Sequence, residues 1–505
     1  MKHLIILFSI ILLLCSCEAK NDISYINVAV SQEPVTTDVM VNTSLTGRLI
    51  PVGSVYERLV VLDGEGNIKP ELASSFTLSD DGRTLSFEIR EGVKFHDGSM
   101  MDNKDVVASL NRWLRVYQKA KDMVGDAEFS AQGEREVAIT SNNNLTFLPT
   151  LMASSPQSAV IFPKEYVEKD EDLIVKAPGT GPYILKDWIS GEKIVLSSFP
   201  DYSSYGDESK GAWGKKEAKS DEIRFYFVPD STTRLLGLKN GEYDFINDLM
   251  SDDRSLVSND GSLEIVDGEE SGLIALVFNK KEGVFISQEM RRAASLSFNR
   301  EELMKSCYGD YGWSLHSQYM EKDSVFWKEN LEDSTYERDI EAAKSILENE
   351  YDGSEIKILT SNLSNLEKIA YAAESELKEA GFNVKVVVTD WAGMMEKRKD
   401  SSQWDIFISA FSKVPLPQMK SFLSPSYPGW MESDSNAYKG FLSLDDEVTI
   451  EEAEERWQEI QKEMWEYIPA YIPGHYSTSY AKSIKLKDVI IQDGFYFWNA
   501  YVDRR

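Results

Sequence analysis

Cysteine and histidine are scarce in this chain, at three and four among 505 residues, and the scarcity closes off several functions. Cys15 and Cys17 sit near the N-terminus and Cys307 stands alone, so no disulfide framework is expected. Cys307 lies in the helical pattern Glu301-Glu302-Leu303-Met304-Lys305-Ser306-Cys307, where it reads as a buried small hydrophobe. Beyond His3, the histidines His96, His316 and His475 are scattered, and no His/Cys group has the spacing of a metal site. No resident metal and no cofactor is expected. A metal chelate carried on a small molecule needs no such cluster, so that ligand class stays open. A Gly-x-Ser-x-Gly elbow is missing, and no Cys/His or Ser/His/Asp arrangement stands out. A glycosidase needs two carboxylates facing one cleft, and among 84 acidic residues no pair is singled out. The chain is read as a non-enzyme, with a secreted hydrolase as the alternative. Basic residues also fall short, 54 against 84 acidic, for a formal charge of −30. Nucleic-acid phosphates would be repelled. The acidic excess suits either a cationic ligand or a solubilising surface.

There is no low-complexity tract and no internal repeat. Aromatics are plentiful, with 11 Trp, 23 Tyr and 22 Phe, which a disordered chain would not carry. The single long apolar run is N-terminal. Lys2 and His3 precede Leu4 to Leu14, broken only by Ser9, the pattern of a secretory signal and too short for a stable bilayer span. Leu14-Cys15-Ser16-Cys17, followed by the polar Glu18 to Asp22, resembles the lipobox of bacterial lipoproteins. The resemblance implies a signal peptide over residues 1–16 and a lipid on Cys17. Two or more acyl chains anchor a protein stably. The mature chain is therefore expected outside the cytoplasm, in the periplasm or on the outer face of the cytoplasmic membrane, and out of the bilayer apart from its anchor.

The remaining length calls for two or three lobes. Residues from Ile23 to Val30 read as a first strand. Leu85, Phe87 and Ile89 alternate with polar residues as in a half-buried strand between turns at Asp80-Asp81-Gly82 and Glu91-Gly92. A helix follows from the N-cap Asp102, with Val106, Val107, Leu110, Trp113 and Leu114 on one face. From about residue 339 helices and strands alternate, which implies a parallel sheet with crossover helices. The long helix there, from Leu366 to Ala380, is closed by Gly381 as a left-handed cap. A final helix from Ile450 to Tyr467 carries Trp457, Ile460 and Met464 on its core face.

Four segments then resemble family 5 of the bacterial extracellular solute-binding proteins, the oligopeptide-, dipeptide- and nickel-binding proteins of ABC importers. The first runs from Val55-Tyr56-Glu57-Arg58-Leu59-Val60 to Lys69-Pro70-Glu71-Leu72-Ala73. The second runs from Asp80-Asp81-Gly82 through His96-Asp97-Gly98 to Asp105-Val106-Val107. Gly179-Thr180-Gly181-Pro182-Tyr183 is the third, and Phe278-Asn279 with Arg291-Arg292-Ala293 and Asn299-Arg300-Glu301 the fourth. The terminal Phe497-Trp498-Asn499 looks like the family's closing strand. The resemblance implies an α/β bilobed fold of the periplasmic-binding-protein type. One lobe would be roughly 23–270 and 475–505, with a subdomain inserted at about 46–185, and the other about 271–474. Two crossings, near Glu270-Ser271-Gly272 and Pro473-Gly474-His475, would form the hinge. It further implies a monomer that captures a peptide-like solute between its lobes and docks on permease subunits.

In peptide-binding members an Asp pairs with the peptide's α-amino group, three residues after an aromatic. Here the matching segment is Ala410-Phe411-Ser412-Lys413-Val414-Pro415, with Val414 in the Asp position. Valine cannot neutralise an ammonium. A peptide amine would have to be blocked, or held elsewhere in the cleft; an oligosaccharide is the other solute class left open. The candidate ligand contacts are Glu33, Trp391, Phe411, Lys413, Val414, Tyr427 and Trp430, and His96 reads as turn chemistry.

Overall fold

The computed structural model describes residues 23–504 apart from 43, 155, 170–172, 207 and 332–336; the signal segment and Cys17 lie outside the described residues. One large mixed sheet runs through the molecule. Its principal strands are β1 (Tyr25–Val30), β2 (Tyr183–Ile189), β3 (Lys193–Ser198), β4 (Glu222–Phe227), β5 (Phe245–Ile246), β6 (Leu263–Phe278), β7 (Ile356–Ser361), β8 (Val384–Thr389), β9 (Ile406–Ser412) and β10 (His475–Ser483). They lie in the order β8-β7-β9-β6-β10-β5-β1-β4-β3-β2. The parallel pairing expected from the helix–strand alternation holds for β7 with β8 and with β9. It stops at β6, which meets β9 antiparallel because it enters from the other half of the molecule.

Two large hydrophobic cores flank this sheet. One draws on residues from Ile26 to Phe245 together with Tyr480 to Ala500. The other draws on residues from Leu273 to Ile472, joined by Phe147. The long strand β6 belongs to both halves. Its start pairs with the end of β10, Leu263 opposite Ser483, and its later part pairs with β9 and with His475. The register shifts twice, between Asp267 and Glu270 and between Glu270 and Gly272. Bulges bend a strand and re-aim its side chains, and here they lie where the chain passes from one core to the other. Chain crossings thus fall at Glu270–Gly272 and at His475.

A four-stranded antiparallel sheet of Ala73–Leu78, Thr84–Ile89, Glu136–Thr140 and Ser130–Ala131 stands apart from the main one. The helix Asn103–Val116 packs beside it, and its N-cap Asp102 forms a reciprocal box with Asp105. The family's third motif holds this subdomain to the rest by close backbone approach. A Cβ on Gly179 would stand 1.9 Å from the carbonyl oxygen of Val55, and one on Gly181 2.3 Å from that of Ser54. His96 reads the same turn. The Gly179 N–H donates to its Nδ1 at 3.1 Å, so the ring's proton sits on Nε2 and is given to the Gly181 carbonyl at 3.0 Å. Burial pulls the His96 pKa down to about 4, so the ring is a neutral structural bridge. Gly179→Ala is expected to lower stability by at least about 1–3 kcal/mol, since only backbone can yield there. Thermal unfolding followed by circular dichroism reads it, and an unchanged midpoint would show that the loops are not tightly docked.

Candidate functional site

Between the two cores lies a cavity of about 900 Å³. Ser31, Arg48 and Asp248 reach it from the first lobe, and Trp391, Val414 and Glu454 from the second. Both chain crossings reach its wall, Glu269 to Ser271 on one strand and Tyr476 on the other. Residues far in sequence from the crossings also join the inserted subdomain to the second lobe. Asn144 Nδ2 donates to the Asp445 carbonyl at 3.1 Å, and Thr146 Oγ1 to that of Val448 at 3.0 Å. The lobes are therefore in contact elsewhere as well as at the crossings.

The wall is acidic. Asp248, Glu269, Asp323, Glu451, Glu454 and Asp493 line it, against the cations Arg48 and Lys413. Lys413 follows the end of β9, and its ammonium is shared by carboxylates of both lobes. It pairs with Asp493 at 3.0 Å and Glu269 at 3.5 Å, and makes a closer contact with Asp323. Burial alone would lower the Lys413 pKa, but Asp493 and Asp323 outweigh it and push it up. Glu269 is pushed up to about 7, first by burial and then by the neighbouring Asp323. A carboxyl raised in the folded state binds its proton there before it does in the unfolded chain. Stability from this group is complete below about pH 4.5 and is lost as pH rises through about 7. Glu269→Gln is expected to flatten the stability profile across that interval, which urea unfolding at several pH values reads.

The candidate residues separate cleanly. Trp391, Lys413 and Val414 line the cavity, and Trp391 is 43% exposed. Phe411 faces away: Ala410 and Ser412 line the cavity, and alternation along β9 turns the ring between them into the second core. There it meets Phe422 at 4.8 Å and Trp430 at 5.9 Å. Trp430 is a fully buried core residue, and Tyr427 meets it edge to face at 4.7 Å while its hydroxyl meets Arg398 at 2.6 Å. Glu33 fastens the β2–β3 hairpin, accepting from Trp188 Nε1 at 2.7 Å and the Gly191 N–H at 2.9 Å. Its neighbours Ser31 and Gln32 line the cavity instead. Cys307 is half-buried, and burial pushes its thiol up to about 12.

Sequence spacing missed one cluster altogether. His316 and His475, 159 positions apart, stack at 3.9 Å beside Glu270. A search for short-range ligand spacing fails here because the three residues lie in different segments, brought together only by the two crossings. The carboxylate of Glu270 is held well below its ordinary value, at about 2, because hydrogen bonds and the histidines outweigh its burial.

A family model, "Bacterial extracellular solute-binding proteins, family 5 Middle", matches residues 67–432. A probable peptide ABC transporter periplasmic-binding protein, y4tO of Sinorhizobium fredii, is 24% identical over 446 residues, 82% of each chain. The glutathione-binding protein GsiB of Salmonella paratyphi A is 25% identical over 345 residues, 67% of this chain and 64% of the relative's length. Among solved structures, the ABC transporter substrate-binding protein CtaP of Listeria monocytogenes superposes with a TM-score of 0.82 at 20% identity, over 95% of this chain and 100% of that one. The match spans most of the chain, and its segments are those that build the two lobes and the cleft between them: the chain belongs to family 5 of the bacterial extracellular solute-binding proteins.

Proposed function

We propose that this protein is the receptor of an ABC importer, capturing a peptide-like solute that carries positive charge and presenting it to membrane permease subunits. The observation that carries the reading is the acidic cavity of about 900 Å³ between the lobes. Its size suits a small solute, and its carboxylates come from both lobes, so a cationic solute would draw them together. Closure about two crossings is the hinge motion of such receptors. The peptide class rests on the relatives, one of them a probable peptide transporter component. No helix among the described residues is long and apolar enough to cross a membrane. An acyl anchor on Cys17 would hold the receptor beside its permease, on the extracytoplasmic side.

Native mass spectrometry of the gently purified chain, followed by thermal-shift screening, tests the reading. A ligand at 100 times its Kd adds about 2.7 kcal/mol. Cationic peptides are expected to raise the melting temperature and acidic ones to leave it unmoved. If an oligosaccharide or a metal chelate stabilises the protein while peptides of every charge do not, the solute class is wrong.

A further inference from the structure

We infer that Glu270, His316 and His475 form a binding site for a divalent transition-metal ion at the hinge. His475 Nε2 lies 2.8 Å from the Gln318 carbonyl oxygen. A carbonyl only accepts, so Nε2 carries the proton and Nδ1 is a bare lone pair. That Nδ1 is fully buried, has no hydrogen-bond partner, and stands 3.7 Å from Glu270 Oε2. Two acceptors therefore face each other with no donor between them, an arrangement a cation between them would resolve. His316 Nε2 approaches the same carboxylate at 3.1 and 3.3 Å. Oε2 of Glu270 thus stands 3.3 Å from His316 Nε2 and 3.7 Å from His475 Nδ1, and one ligand atom from each of the three residues lies within 4.8 Å of the others. That is close enough that a small turn of the stacked rings would bring all three onto one ion.

The surroundings orient the ligands as outer partners do in metal sites. Glu270 is held from behind by Ser314 Oγ at 2.5 Å and by the Lys322 N–H at 2.8 Å. The His475 ring is fixed by Gln318. Three protein ligands leave a fourth position open. Glu270 lines the cavity, so that position faces the solute space. The ion would join β6 and β10 where both cross between the lobes, with His316 as its second-lobe ligand.

The test is isothermal titration of Zn2+ into the metal-stripped full chain. One ion per chain is expected, with affinity reduced at least about 10-fold in both His316→Gln and Glu270→Gln. Glutamine at 270 keeps a carbonyl for the Lys322 N–H, and its amide can donate to the rotatable Ser314 hydroxyl, so this variant is expected to fold; circular dichroism checks the fold of both variants. Absence of Zn2+ binding to the wild type overturns the site. So does binding of unchanged affinity in both folded variants, which would place the ion on surface carboxylates. Neither result bears on solute capture, which is read separately by peptide-induced stabilisation.

Discussion

Replacing Lys216 by alanine is expected to cost about 3–5 kcal/mol of stability, the range for removing one partner of a buried charge group. Lys216 Nζ sits 2.6 Å from Glu71 Oε1, 3.2 Å from Glu57 Oε1 and 3.3 Å from the Gly53 carbonyl. Its ammonium also lies 4.8 Å from the centre of the Trp498 ring. All three ionisable side chains are at most 4% exposed. Burial alone would raise both carboxyls. Lys216 and Arg58 outweigh it at Glu71, which ends below its ordinary value, whereas Glu57, with Glu71 beside it, ends above. Without the lysine two buried carboxylates face each other, and protonation of Glu57 relieves only part of that. Urea unfolding is the measurement. Lys216→Met is expected to lose as much, and adding Glu57→Gln and Glu71→Gln to it should recover most of the loss. A cost below about 1 kcal/mol for Lys216→Ala would show that the charges are solvated in practice.

This network also shows what the sequence could and could not convey. Glu57 and Glu71 stand in the first segment that carries the family resemblance, and their role is to hold a lobe together. Their partner Lys216 belongs to no motif, and only the fold brings it to them. Local periodicity was legible because it is set by neighbours. Asp102 caps its helix, Gly381 ends the long one at a φ of 112°, and Trp457, Ile460 and Met464 are buried as their spacing requires. The site was half legible. Val414 and Lys413 could be placed because a strand end points into the cleft. Trp430 and Tyr427 could not, since an aromatic in a loop has the same sequence signature whether it faces solute or core. Asp493, Asp323 and Glu269 escaped notice among the many acidic residues, because what distinguishes them is a common lysine reached from three separate segments.

That lysine governs the second large effect. Lys413→Ala is expected to make the protein prefer peptides with a free amino end over their acetylated forms by about 10- to 100-fold, a preference the wild type should lack. In the wild type the Lys413 ammonium already occupies the meeting point of Glu269, Asp323 and Asp493. A solute amine must compete with it for those carboxylates. Acetylation should therefore matter little there. Alanine leaves the three carboxylates without their cation, and an entering ammonium restores the balance. A single pair 4 Å apart at a protein surface is worth up to about 4 kcal/mol. Partial exposure of these carboxylates trims that to about 1.5–3 kcal/mol, the worth of a charged hydrogen bond. Titration calorimetry with matched free and acetylated peptides reads the ratio in both proteins. If the variant gains no preference, the three carboxylates are not a solute-amine site, and Lys413 serves only to bind the lobes to each other. Should the wild type already discriminate strongly, Lys413 must move aside when solute enters, and the position held by Val414 would not be what sets amine recognition in this receptor.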